Sequence, residues 1–105
     1  MGKSQSPINI ENQVFDKSLV NDPFVFSANY QTKLIGAKLK NNGHTVQLDS
    51  PKDFTAQING GGLNGTYQFA QLHFHWGDTN ERGSEHTKNG QAYPLEVHLV
   101  HFNTK

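Results

Sequence analysis

Gln71-Leu72-His73-Phe74-His75-Trp76-Gly77 alternates polar and apolar side chains without a break. In a β-strand residues two apart point the same way, so Gln71, His73 and His75 share one face. At a rise of ~3.3–3.4 Å per residue the two imidazoles stand roughly 7 Å apart at Cβ. From there both can converge on one ion, at ~2.0–2.1 Å for a zinc–nitrogen bond. On a helix the same pair would diverge by roughly 200°, since each residue turns about 100°. Tyr67, Phe69, Leu72, Phe74 and Trp76 favour the strand. The strand and the metal are therefore one reading.

The global numbers bound that reading. A chain of 105 residues is one domain or part of one. Nine Lys plus Arg balance nine Asp plus Glu, so nothing recommends nucleic acid or an acidic membrane as partner. There is no cysteine, which excludes a disulfide scaffold and thiolate chemistry and leaves the compartment open. No run approaches ~18 apolar residues. Met1-Gly2-Lys3-Ser4 leads into Gln5-Ser6-Pro7 without an apolar signal core, so a soluble chain is expected. Six histidines are the compositional oddity, and they point to a site.

The punctuation is that of a β protein with little helix. Residues 34–40 and 45–48 alternate around Asn41-Asn42-Gly43, a hairpin signal because Asn and Gly tolerate positive φ. Gly60-Gly61-Gly62 and Asn64-Gly65 break the chain before a long strand over 66–76. A polar connection over 78–90 precedes a second long strand over 93–102. Pro7 and Pro23 argue for irregular backbone in residues 5–33. Asn64-Gly65-Thr66 is a possible glycosylation acceptor, from which no compartment follows.

The second strand supplies a third imidazole. Its alternation puts Glu96, His98, Val100 and Phe102 on one face, and Leu95, Val97, Leu99 and His101 on the other. Paired antiparallel with 66–76, His98 faces the side of His73 and His75. Three protein ligands leave a fourth position open, as in a catalytic zinc site. Zinc lowers the pKa of water held there to ~7. Gln71 and Glu96 each lie two residues before a ligand and on its face, placed to accept the spare imidazole N–H. A lone histidine among strand apolars is more often simply packed. The third one at matching parity shifts the balance toward metal. His86 and His101 read as structural.

Five blocks carry a resemblance: Gln5-Ser6-Pro7-Ile8-Asn9-Ile10, Asn41-Asn42-Gly43-His44, Gln71 to Gly77, Gly83-Ser84-Glu85-His86-Thr87 and Glu96-Val97-His98-Leu99-Val100-His101. Together, in this order and spacing, the chain resembles the α-class carbonic anhydrases from about Gln5 to Lys105. The resemblance implies a large, twisted, mostly antiparallel sheet. It implies one Zn2+ on His73, His75 and His98, and reversible hydration of CO2 to bicarbonate by a zinc-bound hydroxide. Gln71 and Glu96 match the family's supporting residues. His44 matches its proton shuttle, and Glu85 the carboxylate that orients a threonine hydroxyl. Val100 matches part of the apolar wall facing CO2. Gln47 stands where an asparagine is common on the cavity wall, and Ala70 is a smaller apolar residue beside the site.

A full domain of that family is well over twice this length, so residues 1–105 are expected to form a single partial domain. Two functions follow from that expectation. One is a zinc lyase. The other is a non-catalytic zinc-binding or interaction module that keeps the metal and lacks the complete pocket. The retention of all three ligand histidines favours the enzyme. Interrupting the sheet would bare strand edges and the face of Leu72, Phe74, Trp76, Val97 and Leu99, so self-association, most plausibly as a symmetric dimer, is expected.

Overall fold

In a computed structural model, which describes residues 2–105, the elements are almost all strands. In chain order they are β1 (Asn9–Ile10), a 3-10 turn (Lys17–Asn21), β2 (Val25–Phe26) and a 3-10 turn (Ala28–Gln31). Then come β3 (Lys38–Asn41), β4 (Val46–Asp49), β5 (Gln57–Asn59), β6 (Tyr67–Trp76), β7 (Thr87–Lys88) and β8 (Leu95–Asn103). The chain is mainly β, with a six-stranded sheet ordered β2-β5-β6-β4-β3 and β8 also paired with β6. β2 with β5, β3 with β4, β4 with β6 and β5 with β6 all pair antiparallel. β1 and β7 form a separate parallel pair.

Element boundaries move for local reasons. The first hairpin strand starts at Lys38 rather than 34, because Gly36 sits at φ +77°, outside extended backbone. The hairpin register pairs Asn41 with Val46, so the loop holds four residues, 42–45. The Asn42 Oδ1 accepts the N–H groups of His44 (2.9 Å) and Thr45 (2.8 Å), an Asx-type turn in which only Gly43 takes a positive φ, +88°. The last strand begins after Pro94, which has no N–H to give a ladder.

The described chain divides into two compact units whose boundaries fall inside β6 and β8. One comprises Phe15–His73 with Leu99–Lys105. Its core is Ala56 and Phe69, the only buried apolar residues among those described. Phe69 meets Phe54 edge-on at 5.9 Å and His101 at 5.8 Å. The His101 Nδ1–H donates to the Leu99 carbonyl at 2.9 Å, which leaves Nε2 to accept from the Tyr30 hydroxyl. Burial pushes the Tyr30 phenol pKa up. β4 and β5 pair with successive stretches of β6: Gln47 lies opposite His73, and Gln57 opposite Gln68.

The other unit comprises residues up to Val14 with Phe74–His98. Its Gln5–Ile10 block serves as an anchor. The Ile8 and Ile10 carbonyls accept from the N–H groups of Thr87 and Asn89, and Asn9 Oδ1 accepts from Thr87 Oγ1 and Gly90 N–H, both at 2.8 Å. Trp76, Leu95 and Val97 in this unit, and Leu99 and Phe102 in the other, are exposed. Of the side chains on which the expectation of self-association rests, Trp76, Val97 and Leu99 are exposed, and Leu72 and Phe74 are half-buried. No helix of the described residues is long and apolar enough to cross a membrane.

Candidate metal centre

The connection between β6 and β8 is folded tightly against its own ends. A Cβ on Gly83, at φ +146°, would collide with the Pro94 carbonyl, so only glycine lets the backbone pass there. Ser84 is then fixed three ways: its N–H donates to the Tyr93 carbonyl (2.8 Å), its Oγ accepts from the Tyr93 N–H (2.8 Å), and its hydroxyl donates to the His86 carbonyl (2.6 Å). The two residues that follow, Glu85 and His86, are thereby held in place.

Glu96 is the most constrained carboxylate of this unit. Its Oε1 accepts the His86 N–H at 2.8 Å, and its Oε2 meets both His86 Nδ1 (2.7 Å) and His98 Nε2. Burial works to raise its pKa. The hydrogen bonds from His98 and from the ring and N–H of His86, with the charge of His86, outweigh that and lower it from 4.5 to about 2. A carboxylate with a depressed folded pKa stabilises the fold above its unfolded value, and the contribution is lost as pH falls through the folded value. Glu96→Gln is therefore expected to melt below the parent at neutral pH and to converge with it as pH falls from about 4.5 toward 2. A melting difference constant across that window, measured by circular dichroism, would remove the charge as its cause.

His75 and His98 face each other with ring centroids 4.5 Å apart. The Glu85 Oε1 lies 3.1 Å from His75 Nε2 and 3.7 Å from His98 Nδ1. Glu96 thus engages His98 through Nε2, and Glu85 approaches it on the side of Nδ1. His86, Glu96 and His98 also bring ligand atoms within 4.8 Å of one another. Both oxygens of Glu96 already serve His86 and His98 there, so that group reads as a clasp on His98. Imidazoles beside one carboxylate are a donor set suited to zinc.

Two residues before His75 on the same strand, in the other unit, His73 Nδ1 meets Gln71 Oε1 at 2.8 Å. That bond shows the same-face spacing on β6 and fixes the ring of His73. Gln47, opposite His73, accepts from Asn42 Nδ2 (2.9 Å) and donates to Asp49 (2.7 Å). Asp49 in turn pairs with Lys40 at 2.6 Å, and that bond leads the lowering of its carboxyl pKa. His44 is exposed at the tip of the β3–β4 hairpin. The Ala70 carbonyl accepts from the Ser50 N–H at 2.9 Å, and Val100 is 38% exposed on β8. Sequence reasoning gave Glu85 a distant hydroxyl partner and treated His86 as merely structural. It missed the approach of Glu85 to two histidines and the double grip of His86 on Glu96. Both cross a loop whose fold no spacing rule encodes.

All 105 residues match the model of the eukaryotic-type carbonic anhydrase family. The chain is 42% identical over 107 aligned residues to carbonic anhydrase 7 of Mus musculus, covering 99% of this chain and 39% of that protein. To carbonic anhydrase 7 of Homo sapiens it is 43% identical, with the same coverage. To putative carbonic anhydrase 3 of Caenorhabditis elegans it is 43% identical over 101 residues, covering 95% of this chain and 40% of that protein. The chain thus spans about two fifths of the length of these relatives. A match along its whole length, on a strand-built fold with paired histidines on its long strands, places the chain in the carbonic anhydrase family.

Proposed function

We propose that His73, His75 and His98 hold one Zn2+ and that the chain carries the metal site of an enzyme hydrating CO2 reversibly to bicarbonate and a proton. The observation that carries this reading is the treatment of the spare nitrogens. His73 Nδ1 is tied to Gln71 and His98 Nε2 to Glu96, which fixes the tautomers and directs the opposite nitrogens to a metal. Each histidine offers one ring nitrogen. Bound there, zinc supplies Lewis acidity and a nucleophile from water at neutral pH. Everything else falls to the chain. Glu96, kept ionised by its hydrogen bonds, raises the basicity of His98. Val100, on the His98 face of its strand by alternation, offers small apolar surface to an apolar substrate.

His44, exposed and with its backbone pinned by Asn42, is placed to carry the released proton to buffer. In the zinc-loaded protein, His44→Ala is expected to lower kcat by about tenfold or more, toward the ~10²-fold typical of lost proton transfer. The kcat/KM for CO2 should change little, because proton export follows the chemical step, and added imidazole should restore turnover. Stopped-flow hydration assays decide this. An equal fall in both parameters without rescue would remove His44 as the shuttle, and no hydration by zinc-loaded parent protein would overturn the catalytic reading.

A further inference from the structure

We propose that Asn64-Gly65 is a self-modification site, at which the chain converts Asn64 to aspartate or isoaspartate with water as the only co-reactant. The chain holds four Asn-Gly pairs: Asn42-Gly43, Asn59-Gly60, Asn64-Gly65 and Asn89-Gly90. In such a pair the backbone nitrogen after the asparagine can attack the side-chain carbonyl carbon, because glycine has no Cβ to block the approach. A bond forms between the Gly65 nitrogen and Asn64 Cγ, and the bond from Cγ to the amide nitrogen breaks. Ammonia leaves with the proton that the Gly65 nitrogen gives up. Water then opens the cyclic imide at either carbonyl, giving aspartate or isoaspartate. Water enters, ammonia leaves, and nothing is oxidised or reduced.

The fold holds the other three pairs away from this reaction. The Gly43 N–H donates to Asn41 Oδ1 at 2.9 Å, while Asn42 spends Oδ1 on the N–H groups of His44 and Thr45 and Nδ2 on Gln47. The Gly90 N–H donates to Asn9 Oδ1 at 2.8 Å, and the Asn89 N–H to the Ile10 carbonyl at 2.9 Å. Asn59 closes β5 opposite Val25, and a Cβ on Gly60 would stand 2.1 Å from the Pro23 carbonyl oxygen, so the backbone has no room to turn there. Asn64 differs on each count. It is exposed, and among the described residues no hydrogen bond falls on its side chain or on the Gly65 N–H. The space that a Gly65 Cβ would fill is empty out to 4 Å. On either side the chain is pinned: the Leu63 N–H donates to the Gly60 carbonyl (3.0 Å), and the Thr66 carbonyl accepts the Thr104 N–H (3.1 Å) and hydroxyl (3.0 Å). Asn64 and Gly65 are the free link between these anchors. An isoaspartyl bond adds a methylene to the main chain at that link, directly before the bonds that tie Thr66 to Thr104.

Peptide mapping by mass spectrometry during storage in warm, mildly alkaline buffer tests this, with electron-transfer fragmentation to separate aspartate from isoaspartate. In the folded parent, Asn64 should convert at least about tenfold faster than Asn42, Asn59 or Asn89, since each of those needs bonds or packing to open first. In urea the rates should draw together, because the pairs then differ only in their flanking residues. Comparable rates in buffer, or another of the pairs converting first, would overturn the proposal. The melting temperature gives a second readout. Stored parent should melt below fresh parent, whereas Asn64→Gln, whose longer side chain cyclises far less readily, should keep its midpoint. An equal fall in both would overturn the claim that modification at Asn64 strains the Thr66 anchor.

Discussion

Replacing His98 by alanine is expected to weaken zinc binding by about a hundredfold or more. Structural zinc sites bind with roughly 10–16 kcal/mol across four ligands, so one ligand carries about 3 kcal/mol. The change also removes one of the groups that Glu96 Oε2 engages and one side of the space entered by Glu85. Competition against a chromophoric chelator measures the affinity, with circular dichroism confirming that the strands persist. An affinity within threefold of the parent (about 0.6 kcal/mol at RT ≈ 0.59 kcal/mol) would take His98 out of the ligand set.

Phe69→Ala is expected to destabilise the fold by about 3–5 kcal/mol, the range for emptying a buried phenylalanine site. Phe69 is 4% exposed and shares its burial only with Ala56 among the described residues. Phe54 and His101 both pack on its ring, and His101 is held back from the vacated space by its bonds to Leu99 and Tyr30. Against a typical domain stability of 5–15 kcal/mol the loss is a large fraction of the whole. Urea unfolding of parent and variant gives the difference. A change below about 1 kcal/mol would mean that another residue forms the core in solution.

What the sequence made legible was periodic. Alternation set β6 and β8 within two residues at each end, and the two-residue spacing put Gln71 beside His73 and Glu96 beside His98. What it left hidden was set by single backbone positions and long-range contact. Gly36 shortens β3 by leaving the extended region, and Asn42 holds the hairpin loop over residues 42–45 by accepting two N–H groups at once. The grip of His86 on Glu96 needs the 78–94 connection to fold back past Gly83, and the Tyr30–His101 bond joins residues 71 positions apart. Neither distance has a local signature.

The anchor made by Asn9 bears on the order in which the site is assembled. Its bonds to Thr87 and Gly90 close loops of 78 and 81 residues, close to the span of the chain. Closure entropy grows slowly with length, by about 0.6 kcal/mol per doubling, yet it must be met before any distant contact rewards it. The His73/His75 spacing on β6 needs no such closure, whereas Thr87 and Gly90, farther along the connection that carries Glu85 and His86, gain their Asn9 partner only through it. Folding thus acquires a sequence in time: the paired histidines arise with their strand, and the bonds of Asn9 form only when the first ten residues return from the far end of the chain.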